Sequence, residues 1–260
     1  MNLRKPEWLM TKGLPARNWD PVIGCNRNCP ECIIKRLGDA LLISAYENEK
    51  SGQMRIMTAI DRDIYNRFYG DIEALKAFRP TLLWTRYHFK FPEQPAFILV
   101  NAVSDIHYWH TLWMDKVIEK IKKFPQHKFF FLTKNINTCN QYCFPPNCWL
   151  GVVVDNAARL HAYETVYSYQ LVSGVFRSPD NLFIIIKSID AIQVSPVYYM
   201  AKWLIFSAEN QQSIQNVREN EDTGSVVRHY HRTIPVFMET GFKSIWKDKL
   251  LREFPDFNKL

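Results

Sequence analysis

The chain has 260 residues, of which 47% are hydrophobic and 23% charged, with a net charge of +7 and an isoelectric point near 9.0. That length can bury a full core as one domain, and the composition is that of a globular chain rather than a disordered or collagenous one. The opening MNLRKPEWLM has no apolar h-region, and no run nears the ~18 apolar residues of a membrane helix, so neither a secretory leader nor a membrane span is expected.

A cytoplasmic location follows as the expectation, and with it reduced thiols, so the six cysteines are not read as three disulfides. The basic charge points to a negatively charged partner, either nucleic acid or an acidic electron-donor protein; a solvated basic surface explains it equally well.

Residues 1–17 are polar and read as an N-terminal arm. The short run Pro21-Val22-Ile23-Gly24 reads as a first strand and leads into a cysteine loop. Ile33 to Tyr46 is apolar-periodic and predicts a helix, residues 47–53 a turn, and Asp61 to Phe78 a second helix closed by Arg79-Pro80. Apolar, β-rich runs then recur at 97–103, 128–133, 149–154, 182–187, 203–207 and 234–238. Helix-length segments such as 111–124 and 156–172 separate most of them.

The runs are continuous rather than alternating, which fits parallel strands buried on both faces and joined by helical crossovers. Six or seven such β/α units are available, whereas eight would complete a TIM barrel of about 250 residues. Since about ninety residues precede the second strand, the expected fold is an α/β partial (β/α)6-type TIM barrel. Residues 18–210 would form its core and 211–260 a helix and strand that close it.

The chemistry concentrates in Cys25-Asn26-Arg27-Asn28-Cys29-Pro30-Glu31-Cys32, a C-x3-C-x2-C spacing. Thiolates this close, in a reducing compartment, hold a soft metal or an iron–sulfur cluster more readily than they fill a core. Three ligands leave one metal position open, which separates working sites from closed structural ones. A zinc knot with a fourth ligand elsewhere, or plain thiols, are the other readings.

This spacing resembles the radical SAM superfamily. Over about residues 18–156 the chain is also similar to a phage-associated three-cysteine family of unknown function. That family looks radical-SAM-like and is distantly similar to spore photoproduct lyase. The matching stretches are Asn18 to Cys25, Phe97 to Asp105, Phe131-Leu132-Thr133-Lys134 and Trp149-Leu150-Gly151-Val152. The resemblance implies a partial barrel, a [4Fe–4S] cluster on Cys25, Cys29 and Cys32, and S-adenosylmethionine on the cluster's open iron. Glu31 stands where the superfamily often has an aromatic residue.

In parallel barrels the site gathers at the C-terminal strand ends. Ser104 and Asp105, at the second end, are where the resemblance implies a contact to the methionine amino group; a helix N-cap is the competing role. Lys134, in a Leu-Thr-Lys motif similar to the lyase branch, would pair with the S-adenosylmethionine carboxylate, unless it is a surface lysine. Asp155 at the fourth end could bond ribose hydroxyls or cap a helix. Lys187-Ser188, Ser207-Ala208-Glu209 and Met238-Glu239 with Lys243 rank below these.

Cys139, Cys143 and Cys148 form a second cysteine group, for zinc, an auxiliary cluster or hydrogen donation, or simply buried thiols. Cys139 and Cys143, at i and i+4, would share a helix face. His107, His110, His229 and His231 match no metal spacing and read as surface or helix histidines. Arg86-Tyr87-His88-Phe89-Lys90-Phe91 alternates basic and aromatic residues, as in a base-stacking grip or a half-buried edge strand.

The expected function is radical SAM chemistry. The cofactors would be a [4Fe–4S] cluster and S-adenosylmethionine, the electron donor a flavodoxin or ferredoxin, and the substrate a nucleobase, nucleic acid, peptide or metabolite. The alternatives are a non-enzymatic zinc-stapled nucleic-acid-binding protein and a degenerate relative that only binds a partner.

Overall fold

In the computed structural model, seven short strands lie side by side in the order in which the chain makes them. The described residues are 5–10, 13–26, 29, 80–173, 180–207, 223–244, 246 and 249–257. The helices expected at 33–46 and 61–78, the turn at 47–53, and Glu31 and Cys32 lie outside them.

In chain order the elements are α1 (Glu7–Met10), β1 (Ala16–Asn18), β2 (Val22–Ile23), β3 (Thr81–Leu82), α2 (Trp84–Tyr87) and β4 (Phe97–Leu99). Next come α3 (Thr111–Lys122), β5 (Lys128–Thr133), β6 (Cys148–Val154), α4 (Ala157–Ser173), β7 (Leu182–Ile186), β8 (Trp203–Phe206), α5 (Thr223–His231) and β9 (Val236–Met238). Strands β1-β4-β5-β6-β7-β8-β9 form one sheet in that order, and every neighbouring pair is parallel. Strands β2 and β3 pair antiparallel beside it. The protein is therefore α/β, built on a curled parallel sheet of seven strands.

The continuous apolar runs have a direct cause. Side chains alternate across a strand, and both sides of this sheet are dry. One face carries Ile98, Phe129, Phe131, Leu150, Val152, Leu182, Ile184, Leu204 and Val236, packed with Met114, Val117, Ile118 and Ile121 of α3. The other carries Phe97, Leu99, Phe130, Trp149, Val153, Phe183, Ile185, Trp203, Ile205 and Phe237. A crossover of constant hand sends connecting helices to one side only, so the second face must find another cover.

The two ends of the chain supply it. Trp8 of α1 enters among Phe183, Phe130 and Trp203, with ring centroids 5.4, 5.6 and 5.7 Å away. Phe257 of the C-terminal tail meets Trp149 at 5.0 Å and Phe97 at 5.1 Å, edge to face. Such edge-on geometry suits aromatic quadrupoles and adds to the area buried.

Two boundaries therefore differ from the sequence reading. The segment expected as a polar arm places Trp8 and Leu9 in the core and makes the first strand of the sheet. The Pro21–Gly24 run, expected as that strand, forms the separate β2; Pro21 has no N–H to give to a ladder. Strand lengths elsewhere differ from expectation by a few residues, the largest change being 97–103 shortened to Phe97–Leu99.

Gly151 lies on the aromatic face of β6. A Cβ there would stand 2.4 Å from the Phe183 ring and 2.7 Å from Leu132, both within the packed face. Gly151→Ala is therefore expected to lower unfolding stability by about 1–3 kcal/mol in urea titrations, the usual range for an overfilled core.

Candidate functional site

The alternation on the aromatic face continues past the strand ends, and there it turns polar. Two residues beyond the last apolar inward positions stand Asn18, Asn101, Lys134, Asp155, Lys187, Ser207 and Glu239. The ladder also runs on: Lys187 N–H donates to Val154 O at 2.8 Å, Ser207 N–H to Ile186 O at 2.9 Å, and Glu239 N–H to Phe206 O at 2.9 Å. An apolar cup thus ends in a polar rim along the C-terminal edge of the sheet, where ligands of parallel α/β folds bind.

The cysteine loop rises from this rim at β1 and is anchored at three points. Asp20 Oδ1 accepts from Val103 N–H at 3.2 Å. Val22–Ile23 pairs with Thr81–Leu82, and Leu83 N–H donates to Pro21 O at 2.8 Å. The buried Ser104 hydroxyl donates to Gly24 O and accepts from Trp109 Nε1 at 2.9 Å. Gly24 itself has φ +84°, the left-handed region that glycine enters without steric cost, and it turns the chain into Cys25. Cys25 and Cys29 are half-buried.

The four remaining candidates take clear positions. Ser104 is the clamp just described. Asp105 caps the 3-10 turn Ile106–Tyr108 through His107 N–H at 3.0 Å, and also accepts from Thr133 Oγ1 at 2.7 Å and Lys134 N–H at 2.9 Å. Its carboxylate joins the ends of β4 and β5, so the capping role weighed from sequence is realised. Lys134 and Asp155, assigned separate contacts from sequence, meet: Nζ lies 2.7 Å from Oδ2. Arg159, in the first turn of α4, holds the other carboxylate oxygen and donates to Lys134 O at 3.1 Å. A partly buried pair of this kind, with each oxygen engaged, orients the lysine at the rim.

Of the rim residues, Asn18, Asn101 and Arg159 were not singled out from sequence, whereas Ser207 and Glu239 were ranked low. Asn101 is buried and acts as a surrogate ladder, donating to Leu132 O at 2.6 Å and accepting from Leu132 N–H at 2.7 Å. Asn18 Oδ1 is buried with no hydrogen-bond partner among the described residues, an acceptor at the rim of the first strand. Arg159 had a readable signal in its i,i+4 spacing from Asp155. The Ser207 hydroxyl donates to the Glu239 carboxylate on the far side.

The other candidates are engaged locally. His110 caps α3, His107 lies 3.3 Å from Thr138 Oγ1, His229 pairs with Tyr199, and His231 with Glu253 at 2.7 Å. Cys139 and Cys143 do not share a helix: the 3-10 turn Ile136–Asn140 ends between them. Cys143 is exposed, whereas Cys148 is buried in β6 and burial pushes its thiol pKa well up. Among the described residues, which exclude Cys32, no three His, Cys, Asp or Glu side chains gather as a metal site. No helix among them is long and apolar enough to cross a membrane.

Fold and rim together define an α/β parallel-sheet protein with a cysteine-bearing loop at the C-terminal edge of its sheet. Residues 14–218 match DUF5131, described as a protein of unknown function, and the chain belongs to that family. A 113-residue stretch is 30% identical to prolactin of Mus musculus, covering 44% of this chain and 47% of prolactin. The chain thus spans about half the length of that curated relative, and the likeness carries no functional argument. No solved structure matches.

Burial pushes the Asp20 carboxyl up to about 6 from 3.8, against the pull of Arg86 and the Ala102 and Val103 N–H groups. The folded form therefore keeps a proton that the unfolded chain gives up, and on this group stability falls as pH rises from about 4 to 6. Asp20→Asn keeps the Oδ1 acceptor and removes the charge. It is expected to gain on the order of 2 kcal/mol over the parent on going from pH 4 to pH 7, read from paired urea titrations.

Proposed function

We propose that the protein is a radical SAM enzyme whose sheet is the partial (β/α)6 barrel of that superfamily. Cys25, Cys29 and Cys32 would hold a [4Fe–4S] cluster. The observation that carries the reading is a three-cysteine loop anchored to the C-terminal rim of a parallel sheet laid down in chain order. The half-buried sulfurs of Cys25 and Cys29 fit the donor chemistry of such a cluster. When bound, the cluster and S-adenosylmethionine supply an electron transfer and a 5′-deoxyadenosyl radical that abstracts hydrogen from substrate. The electron comes from a flavodoxin or ferredoxin.

The chain's own residues bind, orient and exclude water. Ser104 and Asp20 fix the cysteine loop against the β4 rim. Asn18 Oδ1 is an acceptor for the amino group of the ligand. Lys134, aimed by Asp155 and Arg159, would offer a cation to its carboxylate, and Asp155 would accept from the ribose hydroxyls. Asp105 holds the β4 and β5 ends at fixed separation. The aromatic floor beneath the rim is dry, so charge at the mouth is not screened from below.

Anaerobic purification followed by iron, sulfide and zinc analysis, then dithionite with S-adenosylmethionine, tests this. Cluster iron and 5′-deoxyadenosine are expected, and both should vanish when Cys25, Cys29 and Cys32 are replaced by Ala. Zinc without iron, and no cleavage after reconstitution, would identify a zinc-stapled protein instead.

A further inference from the structure

The radical chemistry makes no use of the surface formed by α2 and the residues after it, Trp84-Thr85-Arg86-Tyr87-His88-Phe89-Lys90. Of the two sequence readings of this stretch, the edge strand is replaced by a short helix and a turn. Tyr87 N–H donates to Leu83 O at 2.8 Å, His88 N–H to Trp84 O at 3.0 Å, and Phe89 N–H to Arg86 O at 3.1 Å.

That geometry turns rings outward. Trp84 is 46% exposed and Phe89 39%, whereas most of the large aromatics among the described residues are buried. The His88 ring lies nearly parallel to Trp84, at 26° and 6.0 Å between centroids. The Lys116 ammonium of α3 stands 5.7 Å over the Trp84 ring, and Lys90 is exposed beside Phe89.

The rings are set on a stiff base. Trp19 Nε1–H donates to Arg86 O at 2.9 Å, and the Tyr87 hydroxyl to Lys116 O at 3.2 Å. Lys120 donates to Tyr87 O and, at 2.8 Å, to Phe89 O, with its ammonium 4.9–5.2 Å from the rings of Phe91, Trp19 and Tyr87. Lys120 is therefore spent inside, as the staple of the turn. A platform held this way loses little freedom on binding.

Exposed flat rings interleaved with cations, on a chain of net charge +7, fit a ligand with flat π faces on an anionic backbone. In a duplex those faces are stacked away; in a single strand they are open. Asp115, Glu119 and Glu93 are exposed nearby, so this is no general trap for polyanions and stacking must carry the recognition. The platform is also bonded to the cysteine loop, because Leu83 N–H meets Pro21 O four residues before Cys25.

We propose that Trp84, His88 and Phe89, with Lys90 and Lys116, form a stacking surface that binds single-stranded nucleic acid beside the cysteine loop. As a substrate grip this rests on the radical reading; as a binding surface it does not.

Fluorescence anisotropy of the full chain with labelled oligo-dT and oligo-U of about 12 nucleotides tests it, within the span such sites cover. Single strands should bind more tightly than a duplex of equal length, and more weakly as salt rises. Trp84→Ala and Phe89→Ala should each weaken binding by about 5- to 100-fold, the worth of one stacked base, without moving the melting temperature. Trp84→Tyr should restore most of the loss. No binding at low salt, equal binding of duplex or heparin, or indifference to both alanine variants would overturn the proposal. The variant with all three loop cysteines replaced by Ala should bind as the parent does, which separates this surface from the cluster; loss of binding there would overturn its independence.

Discussion

Everything in this fold depends on burying both faces of one parallel sheet. Each strand is about five residues or fewer for the most part, too short to be stable by pairing alone, and is held by what lies above and below it. Helices cover one side, as right-handed crossovers require. The other side is closed by an aromatic cup whose occupants come from opposite ends of the chain, Trp8 and Phe257. The polar rim exists because this burial stops: beyond Val153, Ile185, Ile205 and Phe237 the same inward positions meet the edge of the cup and become Asp155, Lys187, Ser207 and Glu239.

The rim is organised by bonds that cross between strand ends. Asp105 spans β4 and β5, Asn101 continues their ladder with an amide, and Asp155 gathers Lys134 and Arg159 from two elements. These groups satisfy backbone and charge in the same act as they fix the edge. The cysteine loop is treated likewise, with Asp20 and Ser104 bonding it to the β4 end. Asp20 accepts a desolvation cost at its carboxyl for a backbone contact that places the loop, the kind of local expense common at functional edges.

The sheet was legible in the sequence wherever burial on both faces wrote an unbroken apolar run, as at 128–133 and 182–187. β1 was not: Ala16-Arg17-Asn18 is three residues at a sheet end, and its membership rests on pairing with Phe97–Leu99 rather than on its own pattern. The positions of Lys134 and Asp155 at strand ends were readable, but their mutual ion pair was not, since it depends on the register of β5 against β6. Asn18 and Asn101 lay in the matching stretches but were not singled out, because an asparagine at a strand end is ordinary until its partners are known. The edge-strand reading of Arg86–Phe91 failed because alternating aromatics also arise when a single helical turn sends rings to two sides.

The closure of the cup by both chain ends has a consequence for synthesis. Glu7 accepts hydrogen bonds from Thr240 and pairs with Arg252 at 2.6 Å, so the segment bearing Trp8 is latched to residues made more than two hundred positions later. On the ribosome, the first strands emerge with Trp8 at hand but without Phe257, Arg252 or β9. The nascent sheet carries Phe97, Phe130 and Trp149 without their Phe257 cover until that residue has left the exit tunnel. The fold is thus completed only once β9 and Phe257 are clear of the ribosome, and until then that aromatic face is what a chaperone would meet.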